Sequence, residues 1–270
     1  MLESPKSMNC SARRTLVEFD CGGQSDAYSA GAGPIDGRVS ENIAGERAVK
    51  GKKILMLAGE FSEEYEIFVF EQAMIAVGHS VHVVCPGKKA GEQIKTSLHD
   101  FEGGQTYTEK PGHLQTISAT FAKLDPAKYD AVYVAGGRGP EYIRIDKDVQ
   151  KIIKHFHESG KPIFTICHGV QVLMAVKGVL TGKRVAALQY CEPEVTAVGG
   201  IYVDVPPTGA HVDGNLVSAK GWPGLAAFMR ECLNVLGTKI VHSDAPEGSA
   251  RRENGELTPR GEDRARVRRA

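Results

Sequence analysis

One cysteine stands where a polypeptide can turn a thiol into a nucleophile. Cys167 follows the apolar run PIFTI (162–166) and precedes HGVQVLMAVK (168–177), with Gly169 two places on. The run reads as a buried strand and the next segment as a buried helix. A strand that turns at once into a helix sets the linking residue at the carboxyl edge of a sheet, where open α/β folds bind ligands. The free N–H groups of that helix point at the linking residue and favour a thiolate. The arrangement resembles a nucleophile elbow with Cys in place of Ser. Gly169 lets the tight turn approach its neighbours, and His168 can polarise the thiol or shuttle a proton. The plainer reading is a packed cysteine beside a satisfied histidine.

Two carboxylates are candidates to work with this thiol. Glu66 lies four residues before Phe70, on the edge of a buried helix face near the end of the first strand. A carboxyl there is expected to be partly desolvated, with a raised pKa, and so able to act as general acid or base. Ser62 is the expected cap of that helix, with Glu63 and Glu64 in its exposed first turn. Glu141 lies in GGRGPEYIR, a loop just past another strand. Gly136 and Gly137 allow a sharp turn there, and their N–H groups could form an oxyanion site. Metal and phosphate chemistry find no support. There is no HExxH, His155 and His157 point to different helix faces, and GVLTGK has three residues between its glycines where a P-loop has four. Gly31, Gly33 and Gly37 have no strand before them and no helix after.

The elements that must position these groups lie in residues 49–240. KILMLA (53–58), SVHVVCP (80–86), AVYVAGG (131–137), PIFTI and LVSA (216–219) read as strands. Ile67, Phe70, Met74 and Val77 mark a helix ending at Gly78. Val149, Ile152, Ile153 and Phe156 mark a second, stopped by Gly160; Leu225, Phe228, Met229, Cys232 and Leu236 mark a closing one. Repeated β-α-β units with short connections imply an α/β fold, a doubly wound parallel sheet with helices on both faces. Residues 1–48 and 241–270 carry no sustained period and are expected to be disordered tails on a single domain.

Composition narrows the function classes. The 270 residues carry 33 Lys plus Arg against 33 Asp plus Glu, a net charge of zero. That argues against a nucleic-acid partner, which needs a clustered positive excess. No apolar run approaches the ~18 residues of a membrane span, and no secretory signal or mitochondrial presequence is apparent at the start. The six cysteines, at 10, 21, 85, 167, 191 and 232, have irregular spacing and no CxxC pair. They read as free thiols in a reducing compartment, the cytoplasm with the nucleus also open.

Taken together, GEFSEEYE (59–66), VCPGKKAGE (84–92), HDFEGGQTYTEKPGH (99–113), AGGRGPEYIR (135–144), GKPIFTICHG (160–169) and DGNLVSAKGWPG (213–224) resemble the DJ-1/PfpI superfamily. Within it they follow the plant-type homolog D branch, which has glyoxalase III activity. The resemblance covers about residues 52–237. It implies a flavodoxin-like sandwich of the class I amidotransferase-like group. By position, it makes Cys167 the elbow nucleophile and His168 its adjacent histidine. Glu66 becomes the acid that contacts the thiolate, and Glu141 the member that completes a triad in PfpI-type peptidases, where it reaches a neighbouring subunit. The chain departs from the pattern in Gly139, where Ala is usual, and in VAALQYCEPEV (185–195), which lacks TxYP. It also has Leu225 where a His is usual, and one domain copy where the plant proteins carry two.

The expected activity is therefore a glutathione-independent glyoxalase. It would convert methylglyoxal and related 2-oxoaldehydes to 2-hydroxy acids through a Cys167 hemithioacetal, with no metal or organic cofactor. The alternatives are a PfpI-type cysteine peptidase or amidase, a protein deglycase, and a non-enzymatic oxidation sensor or chaperone built on a low-pKa, accessible Cys167. Glutamine amidotransfer fits less well, since Thr165 stands where a Gly is needed and His211-Val-Asp213 only approximates the required pair. A homo-oligomer (dimer, trimer or hexamer) is expected, because Glu141 would then find another chain's Cys167.

Overall fold

Five mostly apolar strands run side by side because both of their faces are covered. In the computed structural model they are β1 (Lys53–Leu57), β3 (Ser80–Val84), β6 (Ala131–Val134), β7 (Ile163–Ile166) and β11 (Leu216–Ala219). Between them in the chain come β2 (Ser62–Glu63), β4 (Gln93–Leu98), β5 (Lys110–Thr116), β8 (Arg184–Val185), β9 (Ile201–Tyr202) and β10 (Ala210–Asp213). The helices are α1 (Glu64–Ala76), α2 (Gly139–Ile143), α3 (Lys147–Glu158), α4 (Val170–Met174), α5 (Glu192–Ala197) and α6 (Leu225–Val235). The structure describes residues 51–103, 107–241, 252–253 and 256–257. The expected N-terminal tail lies outside them, as does most of the expected C-terminal one, within which Arg252–Glu253 pairs antiparallel with Glu256–Leu257.

The main sheet has the order β10-β11-β7-β6-β1-β3, parallel throughout except where β10 joins β11 antiparallel. The parallel part has the flavodoxin-like order, with helices on both faces. Strand alternation explains the two-layered core. Leu55 and Leu57 of β1 face α3 and α4, among Ile153, Phe156 and Leu173. Ile54 and Met56 face α1 and α6, among Phe70, Met74 and Phe228. The strand order reverses between β1 and β6, the switch point at whose carboxyl ends open α/β sheets form a crevice.

Two expectations at the start of α1 are corrected. The cap is Glu63, whose side chain accepts from the Tyr65 N–H at 3.3 Å. Ser62 instead accepts from the Gly59 N–H at 3.0 Å and closes the preceding turn. Glu63 is also only 2% exposed, not a solvated first-turn acid. The GGRGPEYIR segment is likewise more than a loop, since Gly139–Ile143 forms α2 with Pro140 in its first turn. The expected helix over 168–177 is shorter: a 3-10 turn at Cys167–Gly169 leads into the five residues of α4.

A second, smaller sheet stands beside the crevice, with order β2-β4-β5. The β4–β5 register pairs Ser97 with Pro111 and Leu98 with Lys110, so the next residues outward, His99 and Glu109, lie opposite each other. Among the described residues no helix is long and apolar enough to cross a membrane.

Phe70 ties α1 to the sheet, stacked on Tyr133 with ring centroids 3.9 Å apart and tilted against Phe228 at 6.1 Å. It is fully buried one helical turn after Glu66. Phe70→Ala should therefore cost about 3–5 kcal/mol, read as a lower denaturant midpoint at unchanged slope.

Candidate active site

Three turns converge at the carboxyl end of the main sheet. The first follows β1 and carries Glu63 and Glu66 into α1; the second follows β6 with Gly136 and Gly137; the third is Cys167 after β7. Their approach is so close that a Cβ on Gly136 would sit 2.5 Å from Glu66 Oε2 and 2.6 Å from Cys167 Cβ. One on Gly137, whose φ is +73°, would lie 2.3 Å from the Glu63 backbone nitrogen. Gly169 is equally constrained, with Val134 O only 2.4 Å from where its Cβ would be.

Cys167 has φ +56°, a left-handed conformation that a non-glycine residue adopts at a cost of about 1–3 kcal/mol. The strain sets its half-buried side chain into a cavity of about 300 Å³. Glu66 is wholly buried beside it, and its carboxyl is within hydrogen-bonding reach of the thiol. Glu66 Oε2 accepts from the Gly136 N–H at 2.7 Å. Oε1 has no well-formed hydrogen bond among the described residues. Burial, and then the charge of Glu63, hold the Glu66 carboxyl well above the usual carboxylate range.

The thiol departs from the sequence expectation. Burial and the charge of an ionised Glu66 push it upward, while the N–H groups of Gly137 and His168 pull it down. The upward influences win, burial first among them. Cys167 and Glu66 thus compete for protons in one shared site. His168 Nδ1 lies 3.5 Å from the sulfur, and burial drives its pKa down to about 4, so the ring is neutral near pH 7.

The proposed oxyanion pair is also corrected. The Gly136 N–H is committed to Glu66, so the donors that face the sulfur are those of Gly137 and His168. Glu141 is not in the cavity wall. It sits on α2, 36% exposed, paired with Arg138 Nε at 3.2 Å. It influences His168 through charge alone. Of the residues singled out from the sequence, the structure brings together Cys167, His168, Glu66, Gly136, Gly137 and Gly169, and leaves Glu141 outside.

Several cavity residues carried no sequence signal of their own. Glu63 Oε2 lies 2.5 Å from His99 Nδ1 and accepts the His99 backbone N–H at 3.0 Å. On its other side, His99 Nε2 is 3.2 Å from Glu109 Oε2. The Tyr107 ring stands between His99 and His168, with centroids 5.3 and 5.6 Å away. The Trp222 indole N–H donates to the His99 carbonyl at 3.1 Å. Lys220 also faces the cavity and pairs with Asp204. All sit in polar or glycine-rich segments, where periodicity says nothing. The available signal was their presence in the family-like motifs. Cys85, Cys191 and Cys232 are free and buried, each with its thiol pushed up by burial.

With that geometry in place, similarity to known proteins can be assigned. The DJ-1/PfpI family model matches residues 52–235. The chain is similar to the protein named DJ-1 homolog D of Arabidopsis thaliana, at 40% identity over 199 residues, 73% of this chain and 51% of that protein. It is similar to a protein named as a deglycase in Thermococcus kodakarensis, at 30% identity over 184 residues, 68% of this chain and 99% of that protein. The chain spans about half the length of the plant relatives. Drosophila melanogaster DJ-1beta shares the fold, with a TM-score of 0.56 at 22% identity, covering 70% of this chain and 92% of that one.

His99 is held between two acids, and its pKa rises above the ordinary 6.5: burial opposes the charge, but the bonds to Glu63 and Glu109 outweigh it. Its stabilisation of the fold is complete below pH ~6.5 and is lost as pH rises through the higher native value. Glu63→Gln should lower the His99 midpoint in an NMR titration and remove that part of the pH dependence of stability.

Proposed function

The chain belongs to the DJ-1/PfpI family, and from that premise we propose that it is a glutathione-independent glyoxalase acting on methylglyoxal and related 2-oxoaldehydes. One observation carries the reading: a cavity of about 300 Å³ is lined by both a thiol and a buried carboxyl within hydrogen-bonding reach of it. A space of that size suits a small carbonyl compound.

The chemistry follows from one proton shared by Cys167 and Glu66. With the proton on Glu66, the thiolate adds to the aldehyde carbon and forms a C–S bond. The alkoxide accepts from the Gly137 and His168 N–H groups and takes the proton of Glu66. The Glu66 carboxylate, made more basic by burial, then removes the carbon-bound hydrogen. The resulting enediol is reprotonated on the adjacent carbon, leaving a thioester. Neutral His168 can carry the hydroxyl proton between the two oxygens. Water cleaves the C–S bond, restores the thiol–carboxyl pair and gives the 2-hydroxy acid. Each cycle consumes one water and, as the acid ionises, releases one proton. None of these steps calls on a metal or organic cofactor.

The relatives named as deglycases support a second activity on the same machinery, since a glycated amine is also an adduct of a 2-oxoaldehyde. We also hold the chain to be a homo-oligomer. Glu141 stands outside its own cavity beside exposed Tyr142; Ile143, expected to share that exposed surface, is buried, and Ile145 is exposed in its place. In a second copy it could approach another Cys167.

Fresh reduced protein should consume methylglyoxal and produce lactate. Cys167→Ala should abolish this while the protein stays folded, and Glu66→Gln should slow it by roughly 10²–10⁴-fold. No loss of methylglyoxal would overturn the glyoxalase reading. For the shared site, mixing inactive Cys167→Ala with Glu141→Gln subunits should restore part of the activity; no recovery despite proven exchange would exclude it.

A further inference from the structure

The net reaction creates a problem that the cavity must solve. A 2-oxoaldehyde plus water becomes a 2-hydroxy carboxylate plus a proton, and that proton is set free beside a wholly buried acid. Glu66 is wholly buried and must return to its starting protonation state each cycle. His168 is coupled to Glu141 by charge, but no hydrogen bond joins them among the described residues. Lys220 is paired with Asp204. The remaining titratable groups facing the cavity are Tyr107, Glu63 and His99.

Lys220 is linked onward to the exposed Asp204, but the link from Glu63 and His99 differs in passing through an imidazole. Glu63 is 2% exposed and His99 8%, and both line the cavity. The imidazole bridges Glu63 at 2.5 Å and Glu109 at 3.2 Å. Glu109 has 39% of its side chain in solvent. An acid inside, an imidazole in the wall and an acid outside thus form a continuous hydrogen-bonded line. The scaffold holds that line rigidly. The β4–β5 register sets His99 opposite Glu109, the Glu63 carboxylate accepts the His99 backbone N–H, and Trp222 fixes the His99 carbonyl.

The geometry points to Glu63–His99–Glu109 as the path by which the product's proton leaves the cavity, an inference that rests on the glyoxalase reading. Imidazole suits the middle position because one nitrogen can take a proton while the other releases one, so the charge crosses the wall without the ring moving. A proton left by the ionising product passes to Glu63, then through His99 to Glu109, and from there to water or buffer. No bond to carbon is made or broken on the way. The raised pKa of His99 is consistent with a ring that holds a proton near neutrality.

Removing a relay has a signature that a loosened structure lacks: a small diffusible base replaces it. Steady-state turnover of methylglyoxal by the full chain, the His99→Gln variant and the Glu109→Gln variant should be measured in dilute buffer and with rising imidazole. His99→Gln is expected to lose on the order of 10²-fold in kcat, with KM little changed, and to regain rate as imidazole increases. Glu109→Gln is expected to show the same dependence more weakly, and the parent almost none. Unchanged kcat in both variants in dilute buffer would overturn the path. So would a loss that imidazole does not restore, because that marks a disturbed cavity wall. Should His99→Gln fail to fold, the exposed Glu109→Gln position decides the matter by the same two outcomes. An inactive parent would overturn the glyoxalase reading itself, and the path with it; an active parent with buffer-insensitive variants would overturn the path alone.

Discussion

The site depends on a side chain that is missing. Gly136 lies between Glu66 and Cys167, and a single methyl group there would overlap both. Only because that position is empty can a buried carboxyl reach a thiol carried on a different turn. The same residue's N–H then fixes one carboxyl oxygen, which leaves the other to the sulfur and its substrate. Remove this close approach and the two groups become an ordinary packed cysteine and an ordinary helix-start acid. Their unusual protonation follows first from burial, to which the charge of Glu63 adds at the carboxyl and the charge of Glu66 adds at the thiol.

The parts of the architecture that follow regular periodicity were legible in the sequence. Continuous apolar runs gave β1, β3, β6, β7 and β11, and the i, i+3, i+4 spacing of Val149, Ile152, Ile153 and Phe156 gave α3. The elbow was legible for the same reason, since a strand that ends on Cys-His-Gly leaves the cysteine at the sheet edge. Glu66 was legible through its offset from Phe70. What escaped was set by tertiary contact. Glu63 looks like a first-turn acid until β4 folds over it and supplies His99. The β2-β4-β5 sheet is rich in polar residues and carries little alternation, so its hairpin is defined by pairing across the chain. The direction of the thiol's pKa also escaped, because the local turn argues for one sign and burial for the other.

The two sheets divide the labour. The main sheet is a rigid platform whose strands end at one level, and it presents the reactive groups. The small sheet is an accessory wall. It contributes His99 and Glu109, and Tyr107 follows within the same excursion between β4 and β5. Changes in that wall can alter the shape and wetting of the cavity while the thiol and its partner acid stay in place. Related chains with the same elbow can therefore differ in what they accept.

The left-handed backbone at Cys167 carries a lasting tension between durability and reactivity. At this one position the fold on its own would be better served by glycine, which adopts such a conformation freely. A lineage that ceased to use the sulfur would relieve this backbone strain by discarding it, giving up only the side chain's contacts with the two core layers. Persistence of a cysteine in this strained turn is thus a running trace of selection for the thiol itself, separable from selection for the surrounding core.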